Sequence, residues 1–84
     1  MTKPAKLHAR LIANPETIIT FRDFEALFRA FGFTVRPGKG SHRHYVHPNV
    51  AAILTVQPRG KDAVPYQVKR LLAVIAEYDL HMQT

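Results

Sequence analysis

The chain has no cysteine. Disulfides and thiolate metal sites are therefore excluded, which fits a reducing compartment. It also lacks any apolar run near the ~20 residues that a membrane-spanning helix needs. The start, Met1-Thr2-Lys3-Pro4-Ala5-Lys6, is basic without the apolar segment of a signal peptide, so a cytoplasmic protein with no membrane partner is expected. A third absence is more specific: no carboxylate stands between Glu25 and Asp62. That interval holds Arg36, Lys39, Arg43, Arg59 and Lys61, in a chain of net charge +6 and pI about 10.2. A positive field is predicted around the middle of the chain, and it would draw a polyanion such as nucleic acid or an acidic protein. A basic surface that is merely solvated does not explain why the charge is confined in this way.

With 84 residues there is room for one small domain, taken as 1–84. The hydrophobic share of 46% supplies a thin core. Residues 3–13 show a helical stripe of Leu7 and Leu11 with Ala5 or Ile12, and Asn14-Pro15 ends it. His8 reads as a partly exposed residue of that helix. Ile18 and Ile19 are expected to pack on the core. Thr20 is a predicted N-cap, with Asp23 three residues on, for a helix from Phe21 to about Phe31. Phe21, Phe24, Leu27, Phe28 and Phe31 repeat at helical spacing. Such a stripe could stack bases, but a chain this short needs it as core. Gly32 suits the helix exit.

Three strands are predicted next: one around Phe33 and Val35, one from Ser41 to His47, and one from Ala51 to Val56. Gln57 to Asp62 reads as a polar loop. Val64-Pro65 opens a final helix whose buried face is expected to comprise Val68, Leu71, Leu72, Ile75 and Tyr78, and residues 79–84 read as a frayed tail carrying a solvated His81. The expected fold is α+β, order α-α-β-β-β-α, a three-stranded antiparallel sheet with helices packed on one face.

The chemistry concentrates in Gly38 to Pro48, which holds His42, His44 and His47. Strand alternation places His42, His44 and Val46 on one face and Ser41, Arg43, Tyr45 and His47 on the other. Three uses of these imidazoles compete. RNA cleavage needs a base for the 2′-hydroxyl proton and cations near the phosphate. Histidine, with an unperturbed pKa of ~6.5, fits the first need, and Lys and Arg fit the second. No metal or other cofactor is required when the 2′-hydroxyl is the nucleophile. Metal binding by His42 and His44 is the second use, but His47 falls on the opposite face and no nearby carboxylate completes the set, so no metal is expected. The third is structural, and it suits His44 or His47 taken singly. A Ser-His-Asp arrangement is poorly supported, because Ser41 and His42 are adjacent and their side chains diverge on a strand.

Gly40-Ser41-His42, then Arg43-His44-Tyr45, with His47-Pro48 closing the strand, resembles the signature strand of HicA-type toxins (YcfA-like mRNA interferases). Phe31-Gly32-Phe33 with Arg36-Pro37-Gly38-Lys39 resembles the preceding segment of that family. Val56-Gln57-Pro58 with Gly60-Lys61 resembles its third strand and Gly-Lys loop, and Val64-Pro65-Tyr66-Gln67-Val68 its final helix. The likeness spans roughly residues 20–80. It implies a double-stranded-RNA-binding-domain-like α-β-β-β-α fold and ribosome-independent, metal-free cleavage of mRNA. It implies one catalytic histidine, at His42, and a HicB-type antitoxin that blocks the site. The toxin is then expected to be monomeric alone and hetero-oligomeric with its antitoxin. Lys39 and Arg43 are expected to engage phosphate, helped by Arg36, His44, Arg59 and Lys61, while Gly40 and Ser41 shape the turn. Residues 3–13 are an addition to the family core. The rival readings are a non-catalytic RNA-binding module of the same fold and an interaction protein that docks an acidic partner.

Overall fold

A computed structural model describes residues 3–83; Met1, Thr2 and Thr84 of the expected domain, the last of them part of the expected tail, lie outside it. Three helices, α1 (Pro4–Ala13), α2 (Phe21–Ala30) and α3 (Pro65–Glu77), accompany a sheet of β1 (Thr34–Pro37), β2 (Arg43–His47) and β3 (Val50–Val56). The strands are antiparallel in the order β1-β2-β3. The result is the expected α+β, double-stranded-RNA-binding-domain-like arrangement. One element was not foreseen. The polar stretch after β3 forms a two-stranded ribbon, β4 (Pro58–Arg59) with β5 (Asp62–Ala63), closed by Gly60 at φ +62°.

The local chemistry explains the helix ends. The Thr20 hydroxyl accepts from the Asp23 N–H at 3.1 Å, capping α2 as the sequence predicts. At the other end Gly32 takes φ +88°, its N–H bonds the Arg29 carbonyl, and the Phe33 N–H reaches back to Phe28. That is a Schellman motif, and its apolar clasp is the edge-to-face contact of Phe33 and Phe28, with ring centroids 5.1 Å apart. The same motif ends α3, where Leu80 N–H bonds Ile75, but Asp79 holds the left-handed position at φ 52°.

The aromatic stripe of α2 is core: Phe21, Phe24, Leu27, Phe28 and Phe31 are all buried. Phe28 stacks on Tyr45 of β2 with centroids 4.0 Å apart and planes 6° from parallel. Truncating such a ring costs about 3–5 kcal/mol, so this stack fixes how α2 lies on the sheet. Tyr45, Leu54 and Val56 line the covered face. The opposite face is open, and Ile53 stands 56% exposed on it.

Four expectations need correction. Ile18 is exposed while Ile19 alone is buried, because the connector is extended here and alternates its side chains. Ile12 is exposed, since Leu7 and Leu11 already fill the face of α1 turned to α2. Tyr78 is exposed at the margin of α3. The tail docks rather than frays: Leu80 is buried and the Gln83 N–H bonds the Ala30 carbonyl at 2.7 Å. His81 is exposed, as expected.

Candidate active site

The β1–β2 hairpin brings the site residues together. Its strands pair as far as Pro37 opposite Arg43, and residues 38–42 form the loop. Ser41 and His42 thus stand in the turn and not on the strand expected from Ser41 onward, because the Gly38–His42 bonds close the turn first. The loop is tied by Gly38 N–H to the His42 carbonyl at 3.0 Å and by His42 N–H to the Lys39 carbonyl at 3.1 Å. Gly40 sits at φ +59°, a conformation that disfavours a side chain. Lys39, Ser41 and His42 are exposed on this turn.

Among the described residues, His42 is held at one ring nitrogen only. Its Nδ1 lies 2.9 Å from the Lys39 carbonyl oxygen. A carbonyl can only accept, so Nδ1 carries a proton and donates it. In the neutral ring Nε2 then presents a lone pair to solvent. That is the tautomer a general base requires.

His44 is differently placed. Cross-strand register aligns Arg36, His44 and Thr55 in one row on the open face. His44 Nδ1 lies 2.8 Å from Thr55 Oγ1. Its Nε2 end packs under the turn, where a Cβ at Gly38 would fall 2.5 Å from it. Gly38 is therefore required by close approach, not by its backbone angle. His47 turns away from both: its Nδ1 accepts from Asn49 N–H at 3.0 Å and its ring meets the edge of Phe33. Among the described residues, no three His, Asp or Glu side chains converge as metal ligands would.

Arg43 points to the covered side. Its Nε–H donates to Glu25 Oε2 at 3.2 Å, and the Tyr45 hydroxyl donates to the same oxygen at 2.7 Å. Burial, followed by the bond to Glu25, raises the Tyr45 phenol far above its ordinary range. The stretch free of carboxylates in sequence is thus not free of them in space, because α2 delivers Glu25 beneath β2. Glu25 had a legible signal: it lies four residues after Phe21 and three before Phe28, on the flank of the apolar stripe.

Arg59 and Lys61 stand on the β4–β5 ribbon, outside the turn. The ribbon leaves β3 after Val56, the residue paired with Arg43, so it emerges at the end of the sheet that carries His42. It is fastened to the start of α2 by Phe21 N–H to the Lys61 carbonyl and by Ala63 N–H to Ile19. Both cations are exposed.

No curated protein and no solved structure matches the chain. A family model does: that of the HicA toxin of bacterial toxin–antitoxin systems, over residues 21–75. The match begins at α2, takes in the whole sheet, the His42 turn and the ribbon, and ends within α3. It leaves α1 and the docked tail outside. With more than half of its length matched, this chain belongs to the HicA toxin family.

Proposed function

We propose that this protein is an endoribonuclease toxin that cleaves mRNA without a metal, with His42 as its general base. The observation that carries the reading is the bond from Nδ1 to the Lys39 carbonyl, which leaves Nε2 open on an exposed turn amid cations. Family membership supports a nuclease role in a toxin–antitoxin pair.

In the proposed step, Nε2 of His42 takes the proton of a 2′-hydroxyl. The 2′-oxygen forms a bond to the adjacent phosphorus, and the bond from phosphorus to the 5′-oxygen breaks. The products are a 2′,3′-cyclic phosphate and a 5′-hydroxyl end. Lys39 and Arg43 stabilise the charge that builds on the phosphate oxygens, with Arg36 as a helper from the open face. His44 has Nδ1 engaged with Thr55 and Nε2 packed against Gly38. In the proposed step the leaving oxygen takes its proton from solvent, to which this turn is open. Gly40 and Ser41 shape the turn, and Arg59 and Lys61 lengthen the basic track along the strand.

The partner is an antitoxin of the HicB type that covers the His42 turn, and the protein acts in the cytoplasm, where mRNA is. Product chemistry tests the reading. Purified protein should release 2′,3′-cyclic phosphate ends from unmodified RNA and leave a 2′-O-methyl RNA intact. Cleavage of the methylated RNA would rule out the 2′-hydroxyl as nucleophile.

A further inference from the structure

Glu25 is a carboxylate set largely out of solvent, its side chain 19% exposed, within a protein that is otherwise rich in cations. Partial burial of a charge is costly unless the charge is used. The Tyr45 hydroxyl alone does not need it, because a neutral amide oxygen would also accept that bond. The charge answers to Arg43. The bond is made by Nε, and among the described residues neither Nη group of Arg43 has a hydrogen-bond partner. The guanidinium is planar and rigid, so fixing Nε sets the direction of the outer Nη1–Nη2 edge. The Arg43 side chain is 42% exposed, and the residue follows His42 directly in the chain.

We propose that Glu25 is a positioning residue: through Arg43 it aims the outer guanidinium edge at an RNA phosphate beside His42. The inference rests on the reading that RNA is the ligand of this turn. In a partly buried ion pair the cost of desolvating Glu25 offsets much of its attraction to Arg43, so the value of the pair lies in orientation. An arginine side chain has many rotamers when nothing holds it. Glu25 removes part of that freedom before RNA arrives, which lowers what binding must spend on ordering.

The test is a double-mutant cycle in the affinity for a short 2′-O-methyl RNA, which binds without being cleaved, with cleavage of unmodified RNA measured in parallel. Glu25→Gln keeps an acceptor oxygen at this place and removes the negative charge that holds the Arg43 guanidinium, so it loosens the anchor of Arg43 more than the bond from Tyr45. Arg43→Gln is expected to weaken binding about tenfold and Glu25→Gln several-fold, with the double variant no weaker than Arg43→Gln alone. Arg43→Lys, which keeps the charge but not the fork, is expected to bind weakly and to be indifferent to Glu25→Gln. Tyr45→Phe should lower thermal stability and leave affinity unchanged. The assignment is overturned if Glu25→Gln binds RNA as tightly as the wild type or more tightly, since Glu25 would then only neutralise Arg43. It is equally overturned if the two losses multiply, or if Tyr45→Phe reproduces the loss. A wild type that shows the coupling yet cleaves nothing defeats the nuclease reading and leaves the role of Glu25 standing. A wild type that cleaves, with Glu25→Gln unaffected in both assays, defeats the role of Glu25 alone.

Discussion

The ring of His42 donates from Nδ1 to the carbonyl oxygen of Lys39, 2.9 Å away and three residues back in the same turn. The same carbonyl accepts the His42 backbone N–H at 3.1 Å. One oxygen thus fixes both the backbone and the ring of the residue proposed to do the chemistry. Neither bond depends on the identity of the Lys39 side chain. Lys39→Gln should keep the tautomer and lose only the cation. Cleavage should fall mainly through weaker binding, and the salt slope of RNA affinity should shrink by about 0.7. Titration of RNA affinity against salt checks this.

A methyl group at Gly38 would collide with the ring of His44. A Cβ there would lie 2.5 Å from His44 Nε2 and 3.2 Å from the His42 Cβ. His44 cannot easily swing aside, because Thr55 holds its other nitrogen. Gly38→Ala should destabilise the fold by about 1–3 kcal/mol, the usual range for overpacking, and reduce cleavage. Adding His44→Ala should restore most of the stability. Chemical denaturation of the two variants measures it.

His8 gives the fold a pH dependence unrelated to cleavage. Its ring meets Phe31 at 5.0 Å between centroids, and among the described residues its buried Nε2 has no hydrogen-bond partner. Burial lowers its pKa below the ordinary 6.5. The unfolded chain therefore binds more protons than the folded chain just below that pH. Stability is full above about pH 6.5 and falls as the pH drops through and below it. His8→Leu should remove this decline and raise stability near neutral pH, as followed by thermal melts from pH 5 to 8.

Asp79 occupies a position that glycine fills more cheaply. At φ 52° it carries the C-terminal turn of α3 that brings Leu80 back onto Ile75. Asp79→Gly should stabilise the protein by up to about 1 kcal/mol, the left-handed penalty less the added freedom of the unfolded chain. A rise in melting temperature with unchanged cleavage is the expected result.

The three helices and three strands were legible because each carries its own period and punctuation: Thr20 before α2, Gly32 after it, Pro65 at the start of α3. The ribbon of Pro58–Arg59 with Asp62–Ala63 was not. Two-residue strands show no alternation, and this one exists because its backbone bonds reach Ile19 and Phe21, some forty residues away. In the site, strand alternation correctly parted His44 from Arg43 and His47. It could not give the two contacts that decide their roles. Glu25 reaches Arg43 across 18 residues of sequence, and Thr55 meets His44 only through the register of β2 with β3. The docked tail was missed because Leu80 and Gln83 belong to no periodic segment.

His42 is proposed to cleave RNA unaided by metal, and cleavage by the wild type and by His42→Gln in excess chelator is the deciding measurement. The wild type should remain active, while the folded variant should lose at least about 10²-fold in rate, the contribution typical of a general base, and still bind 2′-O-methyl RNA. A His42→Gln protein that cleaves at the wild-type rate, or a wild type silenced by the chelator, would contradict it.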